Sequence, residues 1–464
     1  MTARPPRAAR PRVFSNLRSA LHPAVWRQSR AGRWVLAVSG AALAAFGAIQ
    51  ATNALAAGAK LDPLAVATAY ADIAEASFTD SHAAALDLQK AVAALIASPS
   101  EATLKAARQA WIMSREPYMQ TEVFRFGNKL VDDWEGKVNA WPLDEGLIDY
   151  VSKAYTEADS SENEAYAINV IANTKLKIAG QNIDAAKITP ELLTRHLHEA
   201  GGVEANVATG YHAVEFLLWG QDLNGTGPGA GNRPATDFDP KNCTGGNCER
   251  RAEFLRVATS MLVDQLKYMA GLWSKTGPAR REVLKEDGKA GLVALFTGLG
   301  SLTYGELAGE RMKLGLMIHD PEEEHDCFSD NTHNSHYYDL VGIQNIYLGR
   351  YKRPDGKMLS GPSVSDLVKA ADPAVDAKVR AALDTAMTRM GEIKTRAETV
   401  EAYDQMLAED NTEGNAAIEA AVGALADLAK TFEEAIAALG VEGVAFEGSD
   451  SLDAPEKVLE EQKG

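Results

Sequence analysis

The chain has 464 residues, of which 46% are hydrophobic, enough to enclose more core than one ordinary domain usually holds. Its formal net charge is −17, and the first 56 residues carry eight arginines and no acidic residue or lysine, so without them the remainder stands at −17 − 8 = −25. Such an acidic body excludes nucleic acid as a partner and favours cationic ligands, metal ions among them.

Residues 1–56 read as an export signal: a basic stretch to Arg33, an apolar run from Val35 to Ile49, and the small-x-small pattern Ala54-Leu55-Ala56, after which cleavage is expected. The other reading is an uncleaved N-terminal anchor. No Arg-Arg pair precedes the apolar run, which favours the general export route over the twin-Arg route, and no cysteine near the cleavage point suggests lipidation. The expected location is the periplasm or another exposed part of the cell envelope. No later segment is long and apolar enough to span a bilayer, so the mature protein is expected to lack a transmembrane span.

Beyond residue 56 the apolar residues recur at three- and four-residue spacing, predicting an all-α protein. Helices are expected over 64–97, 101–126, 162–183 and 203–219, then over 249–275, 290–317, 336–349, 373–402 and 412–438. The aperiodic stretch from Gly220 to Gly246, rich in Gly, Asn, Pro and Asp, marks a long loop. The expected architecture is two packed helical bundles, 57–235 and 236–447, followed by an acidic, frayed tail at 448–464. Cys243 and Cys248 bracket a flexible loop and are expected to form a disulfide rather than a metal pair, leaving Cys327 as a free thiol.

The strongest local feature is Gly210-Tyr211-His212-Ala213-Val214-Glu215-Phe216-Leu217-Leu218-Trp219-Gly220. Residues three apart share a helix face, so His212 and Glu215 can present an imidazole and a carboxylate to one ion, or the histidine can simply hydrogen-bond the carboxylate. The apolar setting, where an unpaired charge is costly, and the close approach that Gly210 permits both tilt this pair toward function.

Gly-x-His-x-x-Glu followed by Phe-Leu-Leu-Trp-Gly resembles the signature of the imelysin family. Trp111-Ile112-Met113-Ser114-Arg115-Glu116-Pro117-Tyr118 leading to Glu122, and Trp141-Pro142-Leu143-Asp144-Glu145 with Ile148-Asp149-Tyr150, are similar to its first-half pattern. Gly305-Glu306-Leu307-Ala308-Gly309-Glu310-Arg311-Met312 and Cys327-Phe328-Ser329-Asp330-Asn331-Thr332-His333 are similar to its second half. The resemblance implies an exported protein of two helical bundles, associated with iron-regulated uptake and historically classed among metallopeptidases; some relatives sit beside envelope redox proteins, which makes such a protein a conceivable partner.

Carried onto this chain, the resemblance makes His212 and Glu215 the first expected metal ligands and Glu122 the third. Arg115 and Tyr118 share a helix face with Glu122, and an ion pair between helices is the competing role for Arg115 and Glu122. Glu306 and Glu310 repel unless a cation or Arg311 lies between them; Glu310 is kept as a fourth ligand, against surface solvation. Asn331 and His333 match the family pattern and are expected to line the cleft, as are Arg115, Tyr118, Trp141 and Asp144; Trp219 is a second candidate wall, and both tryptophans are of a type more often found in the core. The run Glu322-Glu323-Glu324-His325-Asp326 reads as a solvated loop, and His325 and His336 as incidental.

A zinc peptidase needs three ligands, an open position and a base, and the one-helix signature His-Glu-x-x-His is absent. Oxygen ligands with an imidazole suit iron, with zinc the alternative, so the leading expectation is an exported protein that binds a divalent or ferric ion, or a small iron complex. A metallo-endopeptidase using the same residues and a non-catalytic envelope scaffold are the competing readings.

Overall fold

In a computed structural model, residues 62–157 and 163–461 are described; the expected export signal at 1–56 lies outside them. The principal helices are α1 (Pro63–Ala97), α2 (Glu101–Met119), α3 (Lys129–Asn139), α4 (Gly210–Trp219), α5 (Cys248–Trp273), α6 (Lys289–Ser301), α7 (Thr332–Leu348), α8 (Pro373–Thr399) and α9 (Thr412–Leu439). The protein is all-α apart from two short antiparallel hairpins, β1–β2 (Lys175–Ile178, Gln181–Asp184) and β3–β4 (Arg350–Lys352, Met358–Ser360). Among the described residues no helix is long and apolar enough to cross a membrane.

The helix ends follow local chemistry. Asp62 caps α1 by accepting from the Leu64 amide, with Pro63 in the first turn, where a missing N–H costs nothing. Ser100 and Thr103 form a reciprocal capping box on α2, and Asp372 caps α8 ahead of Pro373. At the far end of α9, Gly440 takes the left-handed conformation that stops a helix.

The helices form two packing groups that share one continuous hydrophobic core. In one, α1 lies along α2 and α5; in the other, α7, α8 and α9 pack together. Helix α5, which a division at residue 235 would assign to the second half, therefore packs along the first described helix, α1. The long loop before it is anchored rather than free: Arg233 donates to Asp149 (2.8 Å) and Asp237 (3.0 Å), and Cys243 and Cys248 are disulfide-linked.

Three expectations need correction. In place of the helix expected over 162–183, the described residues 163–183 form turns and the β1–β2 hairpin, because Leu176, Ile178 and Ile183 alternate with polar neighbours. Ala179 and Gly180 then supply two consecutive positive φ angles for a tight turn. The described part of the tail expected to fray is docked: Ser451 is buried and donates to the Gly309 carbonyl (3.0 Å), and a Cβ on Gly305 would strike the Glu447 carbonyl. Finally, the helix expected over 290–317 changes pitch, since Leu302–Lys313 winds as a wider π-type helix before Leu314–Ile318. Such widened turns re-aim side chains, and this one carries Arg311 inward.

Candidate metal centre

Every residue of α4 is buried, as expected of a helix that is apolar on all sides. Its first residue, Gly210, has φ +83° and presses against α3, where an added Cβ would meet the Val138 carbonyl oxygen at 2.5 Å. The close approach that Gly210 permits is thus to backbone. Trp111 Nε1 donates to the Tyr211 carbonyl (3.0 Å), and Arg108 donates twice to the Leu218 carbonyl, so α2 grips both ends of α4.

On the inner face of α4, His212 Nδ1 lies 2.9 Å from Glu215 Oε2. The other carboxylate oxygen, Oε1, accepts from the Ser329 amide (3.1 Å) and hydroxyl (2.7 Å). Glu215 therefore orients the imidazole and has its oxygens engaged. By contrast His212 Nε2 is buried and has no hydrogen-bond partner. Ligand atoms of His212, His325 and Asp326 all lie within 4.8 Å of one another, and all three residues are buried.

This corrects the reading of 322–326 as a solvated loop with an incidental His325. Glu323, Glu324, His325 and Asp326 are buried, held by the Asp326 amide on Thr332 Oγ1 (2.9 Å), Thr332 Oγ1 on Glu324 Oε2 (2.8 Å) and Trp141 Nε1 on the Glu324 carbonyl (2.7 Å). The Trp141 ring stands edge-on to His325, 5.5 Å between centroids, and so walls the site. Asp326 is fixed by Arg115 (2.8 Å), by Asn331 Nδ2 (2.9 Å) and by the Ser335 hydroxyl. Arg115 also donates to Asn139 Oδ1 (2.6 Å), while the Asn139 amide and Arg115 itself approach the two nitrogens of His325 at 3.5 and 3.4 Å.

The electrostatics follow from burial. Burial and the positive charge of Arg115 bring His212 down to about 3, and burial with Arg311 and Arg115 lowers His325. Both imidazoles are therefore neutral at physiological pH, the form that ligates metals. Burial and the negative charge of Asp326 raise Glu215. Burial would raise Asp326 as well, but Arg115, His212 and the hydrogen bonds from Ser335 and Asn331 together outweigh it and hold this carboxyl below its ordinary value.

The other expected ligands lie in different networks. Glu122 accepts from Arg311 (2.8 Å), which also pairs with Asp339 (2.8 Å) and Glu306 (2.8 Å). That is a buried ion-pair layer, not part of the trio. Glu310 borders the neighbouring cleft with Glu306, Glu323 and His325, at the docked tail. Asp144 accepts from Asn163 (2.6 Å), Trp219 packs on Trp111 in the core, and Tyr118 leans on Tyr211 with ring centroids 4.8 Å apart. Asn331 supports Asp326, while His333 is buried beside it at the start of α7 with Nδ1 unpartnered, and His336 is buried with neither ring nitrogen partnered. Sequence reasoning missed Asp326, His325, Ser329 and Asn139; the first two abut the Cys327–His333 motif, which was the available signal.

Residues 74–432 match the sequence profile of the family described as Imelysin. Iron-regulated protein A of Synechococcus elongatus is 32% identical over 93 residues, which is 20% of this chain and 26% of that protein, so the match spans about a quarter of the relative's length. A solved structure assigned as an iron-regulated protein A precursor from Parabacteroides distasonis superposes with TM-score 0.58 at 17% identity, covering 81% of this chain and 95% of that one. At that identity the superposition establishes the shared fold.

Proposed function

The chain belongs to the imelysin family, and from that premise we propose that it binds a transition metal ion, iron before zinc, at His212 Nε2, His325 and Asp326. The observation that carries this reading is the buried, unpartnered His212 Nε2, on a residue whose ligand atom lies within 4.8 Å of those of a second imidazole and a carboxylate, while Glu215 holds the opposite nitrogen. A carboxylate on the far nitrogen of a ligating histidine fixes the tautomer and raises the basicity of the ligand. Leaving a buried ring nitrogen bare costs roughly 1–3 kcal/mol, a cost that ligation removes.

One carboxylate with two imidazoles suits ferrous iron and zinc alike. Iron is preferred here because a relative is named for its iron regulation. Export through residues 1–56 and a role in iron acquisition complete the proposal. A peptidase at the same place is not favoured: His212, His325 and Asp326 are each at most 1% exposed, which leaves no room for a polypeptide against the ion. Anaerobic calorimetric titration with ferrous ion, and separately with zinc, tests the proposal. One ion per chain is expected, lost in His212→Ala and in His325→Ala; equal binding by wild type and both variants refutes it.

A further inference from the structure

A second group of oxygen donors, one of them on the segment that carries His325 and Asp326, is used by nothing in the transition-metal reading. Asp222 follows the end of α4, Asp330 follows the site residues 325–329, and Asp404 belongs to the short helix Tyr403–Leu407 between α8 and α9. One carboxylate oxygen from each lies within 4.8 Å of the other two. Three like charges this close repel strongly unless a cation joins them.

Among the described residues no lysine or arginine forms an ion pair with any of the three; the nearest approach to compensation is the Asn224 amide and side chain on Asp222 Oδ1 (2.9 and 2.7 Å). Asp404 is 2% exposed and neither of its oxygens has a hydrogen-bond partner; its own backbone amide and that of Gln405 lean toward it without reaching bonding geometry. Asp330 Oδ1 is likewise unpartnered, and so is Oε1 of Glu324, a fourth carboxylate, 1% exposed, whose charge is coupled to all three. Buried acceptors left bare in this number are rare in folded proteins, and each one costs free energy.

We propose that Asp222, Asp330 and Asp404 form a second, structural cation site for a hard divalent ion of the calcium type. The donor set is all oxygen, which calcium and magnesium accept and soft metals do not favour. Coordination habit separates these two: calcium accepts an irregular set of carboxylates and carbonyls, whereas magnesium demands near-ideal octahedral geometry and keeps several waters, so three carboxylates from three stretches of chain suit calcium better. The bound ion ties three distant stretches of chain together, and one of them carries His325, Asp326 and Ser329. It thereby fixes the segment that completes the transition-metal site, yet binds independently of it.

Titration of the full chain with calcium chloride after EDTA treatment, followed by calorimetry and thermal melting, tests this. The expected result is one calcium per chain with Kd about 10⁻⁴–10⁻³ M, the range of extracellular calcium modules, weaker magnesium binding, and a melting temperature that rises with calcium. Asp330→Asn with Asp404→Asn should weaken binding at least tenfold and abolish the rise. In EDTA the double variant should melt at or above wild type, because like-charge repulsion has been removed. Asp222→Asn is a milder second variant, expected to weaken binding while the fold stays intact. No calcium-dependent heat or melting shift up to about 10 mM, ten times the upper Kd expected, overturns the proposal, as does equal binding by wild type and variants. His212→Ala should bind calcium as wild type does, so failure of the transition-metal reading leaves this result unaffected.

Discussion

His212 Nδ1 and Glu215 Oε2 stand 2.9 Å apart on one face of α4, and this contact determines which imidazole nitrogen is left for a ligand. It also assigns the two halves of the His-x-x-Glu motif different roles. In the proposed site the histidine would offer its lone pair to the ion, while the glutamate holds the histidine.

Glu215→Gln keeps the shape and a hydrogen-bond acceptor but removes the charge that makes the imidazole a stronger ligand. Metal affinity should fall roughly 10–100-fold, the usual effect of losing an outer carboxylate, whereas His212→Ala should abolish binding. Calorimetry on the two variants separates these outcomes. Equal, complete loss in both would mean that Glu215 itself ligates.

Arg115 is 1% exposed and joins Asp326, Asn139 and His325. Arg115→Lys cannot reproduce that fork and strands a buried carboxylate, so unfolding by urea should show a loss of about 3–5 kcal/mol. The same change should weaken metal binding, because Asp326 would lose its anchor.

Gly210→Ala should be destabilising even though nothing polar changes. A side chain at a left-handed backbone angle costs about 1–3 kcal/mol, and the clash with the Val138 carbonyl adds to it. Chemical denaturation measures the loss. A neutral result would show that the α3–α4 contact yields easily.

Burial, with the neighbouring charge of Glu306 adding to it, pushes the Glu310 carboxyl up to about 8. The folded protein then holds a proton that the unfolded chain has released near its ordinary pKa of 4.5. Between 4.5 and about 8 the native state binds more protons, so stability from this group is full below that window and declines as pH rises through it. Glu310→Gln should flatten the decline by up to about one proton, read from urea midpoints at successive pH values.

Much of the architecture was legible because long helices repeat their apolar positions: α1, α5, α8 and α9 begin and end close to where periodicity and capping residues put them. The β1–β2 hairpin was hidden because its alternation runs for only a few residues beside an alanine-rich stretch that also suits a helix. The site was half legible. His212 and Glu215 declare themselves by spacing on one helix, but His325 and Asp326 sit in a run of charges whose composition signals solvent. What makes that run an interior segment is long-range: Arg115 from α2, Trp141 from the turn after α3, and Thr332 from the start of α7. No local pattern encodes such contacts. Glu122 shows the converse, since a carboxylate suits a metal site and tertiary packing made it the ion-pair partner of Arg311.

Anomalous diffraction from crystals soaked anaerobically in ferrous salt, recorded on either side of the iron absorption edge, tests the central claim most directly. The account predicts one iron peak bonded to His212 Nε2, His325 and Asp326, with Glu215 still on His212 Nδ1. A peak ligated by Glu215 and Glu122, or no peak beside His212, would contradict it.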